Sequence, residues 1–300
     1  MTRTPHVAVC TCTYRRASLL LRLLHSLEGQ QTEGRVTFSI VVADNDAARS
    51  AEPVVSAFAR RSVIPIRYTV EATQNIALAR NRAVAEARGD LLAFIDDDEF
   101  APPRWLLTLL DAYHRYRVDG ILGPVTPHFD ERPPRWIVKG RFYDRARYPT
   151  GTVIDWSQGR TGNTLLNMQL FSDGVPPFRR EFPTGEDQDF FERMIGKGHV
   201  FVWCDEAVAY EVVPPVRWNR TFLLKRALLR GATSLAHPTV GARQIGKSLV
   251  AVPVYAAALP LAMVLGQHHF MKLMVKLCDH GGRLLATVGI RPVTQPYVTE

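Results

Sequence analysis

The chain has 300 residues, enough to bury a large core in one large domain or two small ones. Apolar residues make up 46% and charged residues 22%, which is typical of a globular protein and excludes a disordered one. The net charge is +8, but residues 215–300 carry eleven Lys and Arg against two acidic residues, so the first 214 residues sum to −1. The basic excess therefore belongs to the C-terminal part and bears on its partners.

Short apolar runs alternate with helical patterns over the first 116 residues. Repeated βα units of this kind predict a parallel, right-handed, doubly wound sheet. Ser18 is a candidate N-cap of the first helix. We predict strands over 7–13, 38–43, 66–70 and 91–95, and helices over 18–27, 51–60, 75–88 and 104–116.

The pattern loosens beyond Gly120. The stretch 129–160 is rich in Pro, Arg and aromatic residues without a clear period, which predicts a long functional loop or a small subdomain. We predict strands over 121–126 and 199–204, and helices over 187–195 and 218–231, the last of them basic.

An apolar run, 249–265, follows in the C-terminal part, although it contains Pro253 and Pro260. It is at the short end for crossing a bilayer, which takes about 17–25 residues. Basic residues flank it on both sides: Arg243, Lys247, Lys272 and Lys276. We expect a membrane-surface or re-entrant helical hairpin with 268–290. The alternatives are a buried helix pair and, third, a full span.

Three consecutive aspartates, Asp96, Asp97 and Asp98, follow the apolar run 91–95. That run is typical of a buried parallel strand, and ligands of open α/β sheets bind at the carboxyl ends of such strands. Clustered carboxylates raise one another's pKa unless a cation intervenes. Mg²⁺ or Mn²⁺ holding a substrate phosphate would satisfy them, whereas a solvated acidic turn is the alternative.

Five segments in this order resemble the family 2 glycosyltransferases, which share the GT-A fold. Together they cover roughly residues 6 to 230. The segments are Thr11-Cys-Thr-Tyr-Arg, Val41-Val-Ala-Asp-Asn-Asp, Asn75-Ile-Ala-Leu-Ala-Arg-Asn, Phe94-Ile-Asp-Asp-Asp-Glu and Thr184-Gly-Glu-Asp. The resemblance implies a GT-A, Rossmann-like α/β fold with a mostly parallel sheet, and we add a C-terminal helical, membrane-associating extension.

The resemblance implies a donor site at the ends of the first two strands. A carboxylate there would accept the imide N–H of a uracil-like base, because a mismatched base would leave the buried charge unpaired. For Asp44 the alternative is an Asx-type turn, and for Arg80 a solvent-facing position. The implied donor-binding residues are Thr11, Thr13, Arg15, Asp44, Asp46, Asn75, Arg80, Asp96 and Asp97.

The acidic triplet resembles the family's Asp-x-Asp motif. By that resemblance Asp98 binds the metal directly, Asp96 faces the ribose or a metal-bound water, and Asp97 shares either role. Many relatives place a histidine after a later strand as a further ligand. Here Glu211 stands in that region, so either it supplies an oxygen ligand or no protein ligand exists there.

Glu186 and Asp187 resemble the family's Glu-Asp pair behind a glycine. An inverting transfer needs one base that takes the acceptor hydroxyl's proton. Asp187 is the candidate base, and Glu186 is expected to orient the acceptor or neighbouring backbone. Ordinary acidity at a helix N-terminus is the alternative. Gly162 and Asn163 border the acceptor pocket by resemblance, with a polar turn as an equal alternative.

These observations favour a metal-dependent inverting glycosyltransferase that uses Mn²⁺ or Mg²⁺. The donor is expected to be a UDP-sugar, and the acceptor a saccharide or lipid-linked saccharide of a surface polysaccharide. Single transfer is favoured over polymerisation, because Arg217-Trp218 lacks the upstream Gln of processive synthases. We expect a glycosyltransferase domain over 1–231, with a nucleotide-sugar half to about 120, and a basic, apolar helical region over 232–300.

The sequence gives less support to two other functions. A sugar nucleotidyltransferase is expected to have a Gly-rich loop with a Lys after the first strand. The corresponding segment here, Thr13-Tyr-Arg-Arg-Ala-Ser, has no glycine, which counts against that function. A nucleic-acid-binding protein would interleave basic and aromatic residues over the folded domain, whereas the excess here accompanies an apolar segment. With no signal-peptide pattern and four scattered cysteines, the expected place is the cytoplasmic face of the inner membrane.

Overall fold

The computed structural model describes residues 3–182, 184–236, 241–290 and 292–293. The strands are β1 His6–Thr13, β2 Thr37–Asp44, β3 Ile66–Val70, β4 Leu91–Ile95, β5 Glu99–Phe100, β6 Gly120–Leu122, β7 Val125–His128, β8 Asn163–Asn167, β9 Phe201–Trp203 and β10 Ala209–Val212. The α-helices are α1 Ala17–Glu28, α2 Glu52–Ala59, α3 Ile76–Glu86, α4 Trp105–Tyr116, α5 Arg135–Gly140, α6 Glu186–Gly196, α7 Arg220–Thr233, α8 Ala242–Leu265 and α9 Gln267–Thr287.

The central sheet has seven strands in the order β3-β2-β1-β4-β8-β6-β9. All its pairings are parallel except those of β8, which runs antiparallel to both β4 and β6. Helices cover both faces: Leu20, Val55 and Trp105 pack in one core, and Ala77 and Phe190 pack in the other. The mostly parallel, doubly wound α/β sheet predicted from the sequence is therefore confirmed.

Some local predictions were wrong. Ser18 does not cap α1, because the helix already begins at Ala17 and its N-cap residue is Arg16, which makes no side-chain cap hydrogen bond. The predicted strand 121–126 is two strands in different sheets, separated at Gly123-Pro124. Strand β8 was not predicted at all. The stretch 129–160 is mostly irregular, as expected, and contains the short helix α5.

A second, three-stranded sheet brings distant acidic residues together. Strand β10 lies between β5 and β7, antiparallel to the first and parallel to the second. In this register Glu211 lies opposite Glu99, which directly follows the three aspartates. The small sheet therefore places a carboxylate from residue 211 beside the acidic motif after β4.

The C-terminal helices α7, α8 and α9 pack against one another, and α9 also packs on α5. Helix α9 packs between α7 and α8, and a Cβ at Gly231 or Gly282 would meet backbone of the opposing helix, so α7 and α9 cross at very short range. The predicted boundary between 231 and 232 falls inside α7. The domain division stays a prediction, and 237–240, 291 and 294–300 of the predicted C-terminal region lie outside the described residues.

Helix α8 exposes most of its apolar surface. Only 11% of its most apolar stretch is buried, which argues against the buried helix pair considered above. Within the described ranges it is the one helix that is long and apolar enough to cross a bilayer, by length and composition alone. Association with a membrane stays a prediction.

Candidate active site

A cavity of about 730 Å³ opens at the carboxyl ends of β1 and β4. Its walls come from the loops after these strands, from the start of α6, and from one face of α7. Residues that carry charge or hydrogen-bonding groups dominate the lining: Thr13, Arg16, Asn45, Arg80, Asp96, Asp97, Asp98, Arg145, Glu186, Asp187, Glu211, Arg217, Lys225 and Arg226. The acidic triplet and the Glu-Asp pair, nearly ninety residues apart in the chain, thus face one space.

Each aspartate of the triplet bonds a cationic or hydroxyl group of the protein. Asp97 accepts hydrogen bonds from the Thr13 hydroxyl at 2.8 Å and from Arg16 at 3.0 Å. Asp98 accepts one from Arg217 at 2.7 Å, and Asp96 lies 3.5 Å from Arg80. The solvated acidic turn is therefore not observed, because Asp97 and Asp98 are buried.

Burial and neighbouring charge push these pKa values in different directions. Burial raises the pKa of Asp97 to about 7, against the opposing effect of Arg16. Burial alone would also raise the pKa of Asp98, but the Arg217 and Arg16 guanidinium groups hold it below its ordinary value. The pKa values of these adjacent carboxyl groups thus differ because Arg16 lies near both, whereas Arg217 bonds Asp98 alone of the two.

Glu211 is bonded by two arginines. Its Oε1 accepts from Arg217 at 2.9 Å and its Oε2 from Arg145 at 2.6 Å. Arg217 therefore bridges Asp98 and Glu211, two of the predicted metal ligands. In the described part of the chain, no group of three His, Cys, Asp or Glu side chains already converges as a metal site.

The chemistry of these side chains nevertheless fits an oxygen-seeking cation. Glu99 Oε1 is buried without a hydrogen-bond partner. A Cβ on Gly162 would lie 2.9 Å from that oxygen and 3.0 Å from Asp96 Oδ2, so the missing side chain leaves room between two carboxylates. Asp96, Asp98 and Glu211 would hold Mg²⁺ or Mn²⁺ if Arg217 released a carboxylate. The metal and its ligand set stay predictions.

The Glu-Asp pair opens α6. Gly185 precedes it with a φ of 84°, a left-handed conformation that favours glycine and turns the chain into the helix. Glu186 is buried in an ion pair with Arg80, and burial raises its pKa above the usual range while Arg80 opposes that shift. Arg80 is therefore buried in the cavity wall, and the solvent-facing alternative for it is wrong.

Asp187 differs from every other carboxylate in the lining. One of its oxygens accepts the backbone N–H of Gln188 at 2.8 Å. Among the described residues, no Lys, Arg or His nitrogen lies within 4 Å of its carboxylate, whereas each of the other five is paired with an arginine. Among the described carboxylates of the lining, Asp187 is thus the one that makes no ion pair within 4 Å.

Several predicted donor-binding residues are not among those that line the cavity, and direct donor binding by them stays a prediction. Asp44 accepts hydrogen bonds from the N–H groups of Asp46 and Ala51 and from the Tyr68 hydroxyl. The first of these is the Asx-type turn weighed as the alternative. Asp46 pairs with Arg15, and Thr11 is buried with a hydroxyl that bonds no described group. Of this strand-end group, Thr13 lines the cavity.

Asn75 caps α3 rather than lying inside that helix. Its side-chain oxygen accepts the N–H groups of Ala77 and Leu78. The backbone N–H of Asn75 donates to the side-chain amide oxygen Oδ1 of Asn45 at 2.9 Å, and Asn45 lines the cavity. Asn75 therefore orders a donor-side neighbour, while direct binding by it stays a prediction.

Neither predicted acceptor residue lines the cavity. The Asn163 side chain is buried and accepts from the Trp105 indole N–H while it donates to the carbonyls of Pro124 and Ala207. Gly162 lies beside the Asp96 and Glu99 carboxylates instead. Their roles in acceptor binding stay predictions, and the observed contacts of Asn163 belong to the core.

Sequence reasoning missed the basic half of the site. Arg16, Arg145, Arg217, Lys225 and Arg226 all line the cavity. Arg16 directly follows the motif Thr11–Arg15, and Arg217 belongs to the Arg-Trp pair already noted, so both carried a weak signal. Arg145 lies in the aperiodic loop, where no pattern singled it out.

The family is decided by comparison with known proteins. Residues 8–178, more than half of the chain, match the family model described as "Glycosyl transferase family 2". The chain belongs to glycosyltransferase family 2. It is 34% identical over 252 residues to the succinoglycan biosynthesis protein ExoM of Rhizobium meliloti, covering 80% of this chain and 79% of that protein.

Other similar proteins share less of their length or sequence with this glycosyltransferase. A validoxylamine A glucosyltransferase of Streptomyces hygroscopicus subsp. jinggangensis is 28% identical over 203 residues, which are 62% of this chain and 48% of that protein. The crystal structure of S. aureus TarS 1-349 in complex with UDP aligns with a TM-score of 0.53 at 16% identity, over 93% of this chain and 89% of that one. This likeness shows the shared fold alone.

Proposed function

We propose that this glycosyltransferase moves a sugar from a UDP-linked donor to a saccharide acceptor with inversion at the transferred carbon. One observation carries the proposal: the acidic triplet and the Glu-Asp pair line the same cavity at the carboxyl edge of the sheet. A single displacement needs groups at the leaving diphosphate and a base on the opposite face of the sugar. The cavity offers both sets of groups.

Asp187 is the proposed base. A base must accept a proton at the moment when the acceptor oxygen bonds the anomeric carbon, so a carboxylate held in an ion pair is poorly suited. Asp187 has no cationic partner among the described residues, whereas Glu186 is paired with Arg80. Glu186 and Arg80 then serve to position the loop and the reacting groups around Asp187.

The donor side is proposed at Thr13, Asn45, Arg80 and the triplet, all of which line the cavity. A UDP-linked donor is supported by a protein of the same fold, TarS, whose crystals contain UDP or UDP-GlcNAc. A divalent ion held by Asp96, Asp98 and Glu211 would act as a Lewis acid toward the leaving nucleoside diphosphate. Arg16 and Arg217 would add fixed positive charge at the same place.

The acceptor is proposed to be a lipid-linked saccharide in the assembly of a surface polysaccharide. The similarity to a succinoglycan biosynthesis protein supports the polysaccharide. The basic C-terminal part and the exposed apolar surface of α8 support a seat on an anionic membrane, at its cytoplasmic face.

Thermal-shift measurements test the donor and the metal together. We expect UDP with Mn²⁺ to stabilise the protein, and Asp98→Asn to remove the part of that stabilisation that depends on Mn²⁺. Asp187→Asn should keep UDP binding and lose sugar transfer. Transfer that survives in Asp187→Asn would remove Asp187 as the base, and UDP stabilisation that ignores Mn²⁺ would remove the metal from the proposal.

A further inference from the structure

One face of α7 forms a wall of the catalytic cavity. Four of its residues line the cavity with helical spacing: Phe222, Lys225, Arg226 and Leu229. Residues at i, i+3, i+4 and i+7 share one helix face. The cavity therefore meets a stripe in which two adjacent cations are flanked by an apolar side chain at each end.

The two cations of this stripe form no ion pair with a carboxylate in the described part of the chain. No carboxylate of the described residues lies within 4 Å of the Lys225 or Arg226 nitrogens. The other arginines in the lining, Arg16, Arg80, Arg145 and Arg217, each bond one or two carboxylates. Positive charge aimed into a cavity without a protein partner favours an anionic ligand.

The stripe is held in a definite position relative to the proposed base. The Thr184 hydroxyl, just before the Gly-Glu-Asp turn, donates to Thr233 Oγ1 at 3.0 Å near the end of α7. At the other end, Arg217 precedes α7 and bonds Asp98. Both ends of α7 are thus anchored to the catalytic loops, and Lys225 and Arg226 line the same cavity as Asp187.

The helical layer that includes α7 also exposes an apolar surface, on α8. Helix α7 packs on α9, and α9 packs on α8. Helix α8 exposes Leu249, Val254, Leu261 and Val264, the last of them 85% exposed. Within the cavity, Phe222 and Leu229 flank the two cations on the same helix face, so a ligand that carries an anion next to a hydrocarbon chain matches this stripe better than a free anion does.

We infer that Lys225 and Arg226 bind the diphosphate of a lipid-linked acceptor. This inference rests on the proposed function and adds the acceptor's chemical class and its site. The donor also contains a diphosphate, so the same charges could serve the donor instead. Removing the two charges distinguishes these possibilities. It should weaken binding of the lipid-linked diphosphate if the charges serve the acceptor, and binding of UDP if they serve the donor.

Calorimetry with two probes separates the sources. Farnesyl diphosphate is titrated into the full-length protein saturated with UDP and Mn²⁺, and UDP is titrated separately. For the double variant Lys225→Gln/Arg226→Gln we expect farnesyl diphosphate to bind about tenfold or more weakly, with the Kd for UDP within about twofold of the unmodified value. Arg226→Lys alone should retain most of the affinity, because it keeps the charge.

Two controls keep the result interpretable. Arg60→Gln removes an exposed cation that does not line the cavity and should leave both titrations unchanged. Melting curves show whether the double variant is folded, and Arg226→Gln alone replaces it if it is not. Unchanged farnesyl diphosphate binding, or an equal loss for UDP, would overturn the inference. Failure of the unmodified protein to bind UDP would instead overturn the proposed donor.

Discussion

Arg217 Nη2 lies 2.7 Å from Asp98 Oδ2, and the same guanidinium reaches Glu211 Oε1 with its Nη1 at 2.9 Å. All three side chains are at most 10% exposed. A fixed cation thus stands between two carboxylates that the sequence predicts as metal ligands. Removing one partner of a buried ion pair leaves a charge uncompensated, so Arg217 contributes to stability. Its guanidinium would also compete with a metal ion for the carboxylates of Asp98 and Glu211.

Arg217→Gln should therefore destabilise the protein and make it more responsive to Mn²⁺. We expect a loss of about 3 kcal/mol in the free energy of unfolding, because two buried carboxylates lose their partner. Added Mn²⁺ should raise the melting temperature of the variant more than that of the unmodified protein, since the vacated carboxylates can take the ion. Equal Mn²⁺ shifts in the two proteins would contradict this relationship.

Neighbouring glycines of α9 should respond in opposite ways to alanine. A Cβ at position 282 would lie 2.2 Å from the Leu228 carbonyl oxygen of α7, whereas at Gly281 it would meet open space. Gly282→Ala should lower the free energy of unfolding by about 1–3 kcal/mol through overpacking. Gly281→Ala should raise it by about 0.5–1 kcal/mol through helix propensity. Chemical denaturation of both variants measures the difference, and equal effects would mean that α7 and α9 do not cross there.

Asn163 should behave as a core residue. Asn163→Ala removes the partner of one indole N–H and two carbonyls, and we expect a loss of about 3 kcal/mol in stability. The adjacent Thr164→Val is the control, because the Thr164 hydroxyl is buried without a partner and its removal should be neutral or stabilising. If Asn163→Ala kept full stability but raised the KM for the acceptor, its predicted acceptor role would stand instead.

Charge on the exposed face of α8 should weaken attachment to vesicles. Val264→Glu places a carboxylate on an apolar surface, so binding to anionic phospholipid vesicles should fall several-fold in a flotation assay. Val63→Glu, at a side chain 96% exposed on the loop before β3, is the matched control. Deleting all residues after 241 is a poorer test, because it would also remove α9, which packs on α7. Unchanged flotation of Val264→Glu would count against a membrane seat through α8.

Asp90 should give the fold part of its acid sensitivity. The pKa of this carboxyl is lowered chiefly by the hydrogen bond from the backbone N–H of His6, and to a smaller extent by the hydrogen bond from the Arg3 guanidinium. Because the pKa of Asp90 is lower in the folded protein than in the unfolded chain, the carboxylate stabilises the fold when the pH is above the unfolded-state pKa of about 3.9. That stabilisation is lost as the pH falls through the folded-state pKa. Asp90→Asn should thus lose about 0.5–1 kcal/mol at pH 7 and little at pH 2, because the group is partly exposed. Denaturant titrations at both pH values check the sign, and an equal loss at both would contradict it.

Apart from the two-residue strand β5, the elements up to α4 could be predicted from the sequence because their signals are local. Apolar runs mark β1–β4, and the helices between them follow from patterns within ten or so residues. The acidic triplet was found in the same way, because it is a short motif beside a single strand, whereas the Glu-Asp pair was singled out by its resemblance to the family's motif. The same resemblance implied that both belong to one site, and in the structure both line one cavity.

What the sequence determined by itself is thus the family, the sheet and the acidic motifs. Only the tertiary structure decided which charges meet them: Glu211 reaches Glu99 through the register of β10 with β5, and Arg217 reaches Asp98 across 119 residues. Such pairings depend on strand register and helix packing between distant segments, and a single sequence carries no local pattern for either. The reason is physical, because the pKa and the partner of a buried charge are set by the groups that surround it in space.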